Sequence, residues 1–193
     1  MNFCPNCGQP VELRIPAGDH LARYVCPSCD AIHYQNPKIV VGCVPVHEGR
    51  ILLCRRAIEP RLGYWTIPAG FMENEETLQQ GAARESWEEA LARVEIGSPL
   101  AIVHVLHADQ VHVMFRAGLA VPEFGAGPES LHVELVEPGA IPWADLAFPS
   151  VRFALERYLE DAEAGREELH FTTIDRRAPR TPPLGSRAAP VAK

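Results

Sequence analysis

The chain has 193 residues, of which 47% are hydrophobic and 22% charged, and a formal net charge of −7. That suits one domain of catalytic size with a small appendage, and no run of eighteen apolar residues marks a membrane span. Five of the 18 basic residues and none of the 25 acidic ones lie from Arg176 onward, so the rest carries −12; such a field disfavours nonspecific nucleic-acid binding, and neither a nucleic-acid nor a membrane partner is expected.

The first motif is Cys4-x-x-Cys7 and Cys26-x-x-Cys29, with eighteen residues between the pairs. Two close thiol pairs at that separation predict a tetrahedral four-cysteine Zn2+ site of the ribbon type in residues 1–35, against the alternatives of two disulfides or four free thiols. Met1-Asn2-Phe3 leaves no room for an apolar signal segment before Cys4. A reducing, cytoplasmic setting is therefore expected, which favours the metal. Four thiolates close the coordination shell, so the Zn2+ is expected to be structural, and some thirty residues need it to fold. Cys43 and Cys54 sit in apolar runs and read as buried small hydrophobes.

Next come two apolar runs, Lys38 to Val46 and Arg50 to Arg55, separated by His47-Glu48-Gly49, which predicts a β-hairpin. Arg55 and Arg56 close the second run and are candidates to hold phosphate bidentately, with solvent-exposed ion pairing as the alternative. Tyr64 to Ile67 reads as a short strand, broken into a turn by Pro68, Ala69 and Gly70.

A helix is predicted from about Glu75 to Ala92. It sets Glu85, Glu88 and Glu89 at i, i+3 and i+4, crowding three carboxylates onto one face. A solvated acidic face is one reading; the other is a site for a hard divalent cation, Mg2+ or Mn2+. The opposite face, with Ala83, Trp87, Ala90, Leu91 and Val94, is expected to pack inward. Arg84 lies at i, i+4 from Glu88 and can fix its rotamer, while Glu76 at the helix start can cap the dipole and support the loop before it. Strands follow at Ala101 to Leu106 and Val111 to Ala120, then an acidic loop from Pro122 to Glu137 and a last helix at about Ser150 to Ala162. Residues 171–193, basic and proline-rich, are expected to be disordered.

Taken together, Gly70, Glu76, Arg84, Glu85, Glu88 and Glu89 resemble the signature of the Nudix hydrolases, which cleave nucleoside diphosphates linked to another group. Two positions depart: Ser86 stands where the family has an aliphatic residue, and Leu91 where it has a glycine able to supply a left-handed helix cap. The resemblance implies an α/β/α sandwich on a mixed sheet over residues 36–170. It implies catalytic Mg2+ or Mn2+ on Glu85, Glu88 and Glu89, helped by the Gly70 backbone carbonyl. A further catalytic glutamate comes from a later loop; Glu129 is preferred to Glu134, and His132 occupies the position where relatives tend to have a glutamate.

The implied partner is a small nucleotide, and a homodimer is allowed. A ribbon joined to such a domain resembles pyrophosphatases acting on ADP-ribose or FAD, which yield AMP and a second phosphomonoester, and also the NADH pyrophosphatases. That second group carries an SQPWPFP segment where this chain reads HVLHADQVHVMFRA, so NADH ranks second. A reading of another class is a non-catalytic scaffold that senses a ligand, with the ribbon as an interaction module. The intact carboxylates and the absence of a strongly basic ribbon oppose it.

Overall fold

The computed structural model describes residues 1–175, which fall into two compact units, 1–37 and 38 onward. In the first unit, β1 (Glu12–Arg14), β2 (Arg23–Val25) and β3 (Ile32–His33) form a three-stranded antiparallel sheet. Each Cys-Pro-x-Cys turn is followed by a residue in the left-handed region, Gly8 at φ 74° and Asp30 at φ 56°. Gly8 N–H and Asp30 N–H return to the carbonyls of Cys4 and Cys26 at 2.8 and 2.9 Å. These tight turns bring the two thiols of each pair to the same side.

The second unit begins with β4 (Lys38–His47) and β5 (Arg50–Arg56), joined through Glu48 and Gly49 at φ 49° and 78°. Two positive φ values are what a two-residue turn matching strand twist requires. β4 pairs with β5 only at Val46 and His47. Beyond that point the strands part: β6 (Trp65–Thr66) pairs with β5 and β7 (Ala69–Phe71) with β4. Then come α1 (Leu78–Ala90), β8 (Val94–Val105), β9 (Gln110–Leu119), β10 (Ser130–Val136), α2 (Pro149–Ala164) and β11 (His170–Ile174). The strand order is β10-β5-β4-β9-β8-β11, mixed because β4 runs parallel to β9 and β8 parallel to β11.

Side-chain alternation divides the core. Val44, Ile51, Leu53 and Met114 pack with Val151, Ala154 and Leu155 of α2. Val41 and Cys43 pack with Ala82 of α1, and Leu52 and Cys54 with Ala90. Both faces of the sheet are thus covered by helix, the expected α/β/α arrangement on a mixed sheet.

Four local expectations are corrected. The helix starts at Leu78, not near Glu75, because Thr77 caps it in a reciprocal box with Gln80. Trp87, expected inside, is 48% exposed and lies under the Arg93 guanidinium, and Leu91 is also exposed. The buried residues of α1 are Gly81, Ala82, Glu85, Ser86, Glu89 and Ala90, so the glutamate face is the one that turns inward. The loop drawn from Pro122 to Glu137 contains β10. Residues 171–174, counted with the tail, belong to a strand in register with Ile102 to Val105 of β8; from residue 176 onward that expected tail lies outside the described residues.

The two departures from the signature have local answers. Ser86 is fully buried, donates to the Ala82 carbonyl at 2.9 Å and meets Cys43 Sγ at 3.2 Å. Leu91 takes the left-handed cap itself, at φ 47° and ψ 26°.

Candidate functional site

The parting of β4 from β5 opens the sheet where α1 crosses it, and a cavity of about 750 Å³ occupies this place. Arg56, Gly70, Arg84, Glu85, Glu88, Glu89 and Glu129 all line it. Gly70 sits here for a steric reason. A Cβ on it would lie 2.4 Å from the Cδ and both oxygens of Glu85, so only glycine lets that carboxylate rest against the β7 backbone.

Arg84 organises the acidic groups. Its Nε and Nη2 donate to Glu76 at 3.0 and 2.8 Å, and its Nη1 donates to Glu85 at 2.7 Å and Glu88 at 2.9 Å. A fourth partner, the Phe71 carbonyl at 3.0 Å, ties the fork to β7. The hydrogen-bonding cap of the helix is Thr77, and Glu76 takes the loop-supporting place expected of it. It accepts from the Glu73 N–H at 2.7 Å as well as from Arg84, bracing the loop against the helix.

Glu89 is almost fully buried and accepts from the Ala69 N–H at 3.2 Å. Burial pushes its carboxyl up to about 8; the charges of Glu85 and Glu129 add to this, while the Ala69 N–H and Arg56 oppose it. Burial likewise raises Glu85, against the bond from Arg84, and the charges of Glu88 and Glu129 push the same way. With Arg84 and Arg56 set against Glu76, Glu85, Glu88, Glu89 and Glu129, the cluster keeps a net negative charge held partly out of water, and hard oxygen donors in such a deficit fit a divalent cation.

Glu129 reaches this cluster because its loop is pinned to the end of α1. Gly125 N–H caps the Ala90 carbonyl at 2.8 Å, and Gly127 N–H caps that of Glu89 at 3.0 Å. A Cβ on Gly127 would fall 1.7 Å from the Glu88 carbonyl oxygen, so the approach requires glycine. The alternative, Glu134, is exposed on β10 beside His132 at 3.7 Å, and neither lines the cavity. The two arginines separate in the same way. Arg56 is only 9% exposed, donates to the Pro60 carbonyl at 2.9 Å and lies over the Phe148 ring. Arg55 points away, donating to the Gly63 carbonyl at 2.9 Å outside the cavity.

Sequence reasoning did not find the far side of the cavity. There Gln110, His112 and Met114 of β9 meet Val105 and the β11 residue Ile174. His112 Nε2 is 2.9 Å from Gln110 Oε1, which only accepts, so Nε2 carries the proton; Nδ1 is buried with no partner among the described residues. Burial holds the His112 ring at about 4, so it is neutral near pH 7. The period-2 spacing of Gln110, His112 and Met114 was the available signal.

The second centre lies in the first unit. Cys4, Cys7, Cys26 and Cys29 bring their sulfurs within 4.8 Å of one another, a closeness that no three carboxylates of the glutamate cluster reach. Separations of 3.7 Å for Cys4 to Cys29 and 3.5 Å for Cys7 to Cys26 are close to the tetrahedral edge of about 3.8 Å set by Zn–S bonds near 2.3 Å. No helix among the described residues is long and apolar enough to cross a membrane.

Comparison with known proteins assigns each part of the chain to a family. Residues 2–35 match the zinc-ribbon family described as Nudix N-terminal, and residues 36–152 match the NUDIX domain. A crystal structure of a NUDIX hydrolase from Nitrosomonas europaea is 52% identical, covers 90% of this chain and 100% of its own, and superposes with a TM-score of 0.86. An ADP-ribose pyrophosphatase from Streptococcus suis shares the fold at 21% identity and a TM-score of 0.60, over 71% of this chain and 100% of its own. The NAD-capped RNA hydrolase NudC of Chromobacterium violaceum is 37% identical over 94 residues, 48% of this chain and 33% of that protein. The alignments thus span about a third of the length of the curated relatives matched here. With the domain match covering more than half of the sequence, the chain belongs to the NUDIX domain family, with a Nudix-type zinc-ribbon match at residues 2–35.

Proposed function

We propose that the chain hydrolyses the pyrophosphate bond of a nucleoside diphosphate derivative, ADP-ribose or FAD, to AMP and a second phosphomonoester. The observation that carries this reading is one cavity lined by Glu85, Glu88, Glu89 and Glu129 together with Arg56. Glu85, Glu88, Glu89 and the Gly70 carbonyl would hold Mg2+ or Mn2+; when bound, the ion supplies phosphate charge neutralisation and a more acidic water. Arg84 fixes the rotamers of Glu85 and Glu88, so these carboxylates are positioned before substrate arrives. Arg56, held by the Pro60 carbonyl, presents its remaining N–H groups to a phosphate. Glu129, the exposed carboxylate at the cavity wall, is the acceptor for the proton of the attacking water. The zinc on Cys4, Cys7, Cys26 and Cys29 is structural in this account, because four thiolates leave no open position.

NADH and NAD-linked diphosphates form the second reading, favoured by the match to NudC. The deciding experiment is a Mg2+-dependent screen against ADP-ribose, FAD, NADH, NAD-capped RNA, diadenosine polyphosphates and 8-oxo-dGTP, with AMP release followed for the adenine-bearing substrates and nucleotide products for the rest. Turnover of ADP-ribose or FAD well above the others supports the proposal. Preference for NADH or capped RNA replaces it with the second reading.

A further inference from the structure

We propose that β11 completes the substrate cavity, and that Ile174 on it packs against the uncharged ring of a nucleobase carried by the substrate. This rests on the diphosphate reading above. The first support is dimensional. Val40 and Val41 of β4 pair with Phe71 and Gly70 at the glutamate cluster, and Ile174 lies three strand positions farther on, across β9 and β8. At about 4.8 Å per position that is roughly 14 Å, far more than a diphosphate spans. The remaining length must take an organic group.

The second support is chemical. Val105, His107, Ala108, Gln110, His112 and Ile174 line this end and include no carboxylate, lysine or arginine. Apolar walls with a few neutral polar groups suit a flat heterocycle and do not suit another phosphate. Gln110 accepts from His112 through Oε1 and keeps its amide N–H groups for a ring nitrogen or carbonyl.

The third support is that β11 is held firmly where it can act as a wall. It runs parallel to β8, with Ile174 opposite Val105. The buried Asp161 of α2 anchors its approach, taking hydrogen bonds from Arg116, from Arg166 Nε at 3.2 Å and from the Glu168 N–H at 3.1 Å, with His170 Nε2 at 2.9 Å. His170, Thr172 and Ile174 therefore share the face toward α2, and Phe171 points to solvent. None of β11 falls within the residues matched to the NUDIX domain.

The test uses the full chain and direct binding. AMP and ribose 5-phosphate are titrated calorimetrically into wild type, Ile174→Trp, Ile174→Leu and Gln110→Ala, with circular dichroism verifying the fold of each. Ile174→Trp should weaken AMP binding at least about tenfold and leave ribose 5-phosphate binding within about twofold, while Ile174→Leu keeps both and Gln110→Ala weakens AMP alone. In turnover, Ile174→Trp should raise KM for adenine-bearing substrates with kcat within about twofold. Unchanged AMP binding in a folded Ile174→Trp, or equal loss for both probes, overturns the assignment. Absence of turnover alongside a selective loss of AMP binding would sink the proposed reaction and leave the ring subsite standing.

Discussion

Gly70→Ala isolates the role of Glu85 without touching a carboxylate. The added Cβ would lie 2.4 Å from Glu85 Cδ, Oε1 and Oε2, whereas real Cβ contacts are essentially never under 3.0 Å, so the carboxylate must retreat by most of an ångström. What retreats is the end of a flexible side chain, and Gly70 has no positive φ to lose, so the fold should tolerate the change within about 1 kcal/mol. Displacing a reacting constellation by about 1 Å costs on the order of a hundredfold in rate. The expected result is a melting temperature within a few degrees of wild type and kcat lowered about a hundredfold with a higher Mg2+ requirement. Gly70→Ala combined with Glu85→Asp, which withdraws the carboxylate by one methylene, should recover part of the loss. Wild-type kcat and Mg2+ dependence in a folded Gly70→Ala would refute the placement of Glu85 against β7 as a condition of activity.

Three further outcomes follow from the site and its supports. Glu88→Gln and Glu89→Gln should each lower kcat at least about a hundredfold with the fold intact by circular dichroism, and full activity in both would remove the proposed ion site. Burial opposes the charged form of Asp161, but the bonds from His170, the Glu168 N–H and Arg166 outweigh it and hold the carboxyl at about 2. Its contribution should therefore be fully present above the unfolded value near 3.9 and be lost as pH falls from there to about 2, and Asp161→Ala, by stranding Arg116, should cost about 3–5 kcal/mol in urea unfolding near pH 7. Zinc should copurify at about one equivalent per chain through gel filtration and be absent from a Cys4→Ser, Cys26→Ser variant, while the catalytic ion is lost and needs replenishing; zinc-free wild type prepared without chelator would contradict the ribbon.

The ribbon and the glutamate cluster were legible because their chemistry depends on residue type at fixed spacing. Cys4, Cys7, Cys26 and Cys29 converge as the spacing predicts. The error at Trp87 came from equating buried with apolar. On α1 the inward face carries Glu85 and Glu89 among Gly81, Ala82, Ser86 and Ala90, and the large apolar residues Trp87 and Leu91 are left outside. A helix that serves a charged site inverts the usual periodicity argument. β10 was hidden by its acidic flanks, although Ser130, Val133 and Val136 are buried while Leu131, His132 and Glu134 are exposed. The choice between Arg55 and Arg56 depends on strand parity at the point where β4 and β5 part, which tertiary pairing alone decides. The far wall was beyond reach for the same reason, since β11 joins the sheet through a parallel pairing with residues some seventy positions earlier.

The most direct test of the account is the position of cleavage. Hydrolysis of ADP-ribose or FAD in 18O-labelled water, with products analysed by mass spectrometry, should place one label in one of the two phosphomonoesters. Added alkaline phosphatase should release inorganic phosphate only after this enzyme has acted. Free adenosine, ribose or nicotinamide among the products, with the pyrophosphate linkage intact, would contradict attack at phosphorus by the site built on Glu85, Glu88 and Glu89.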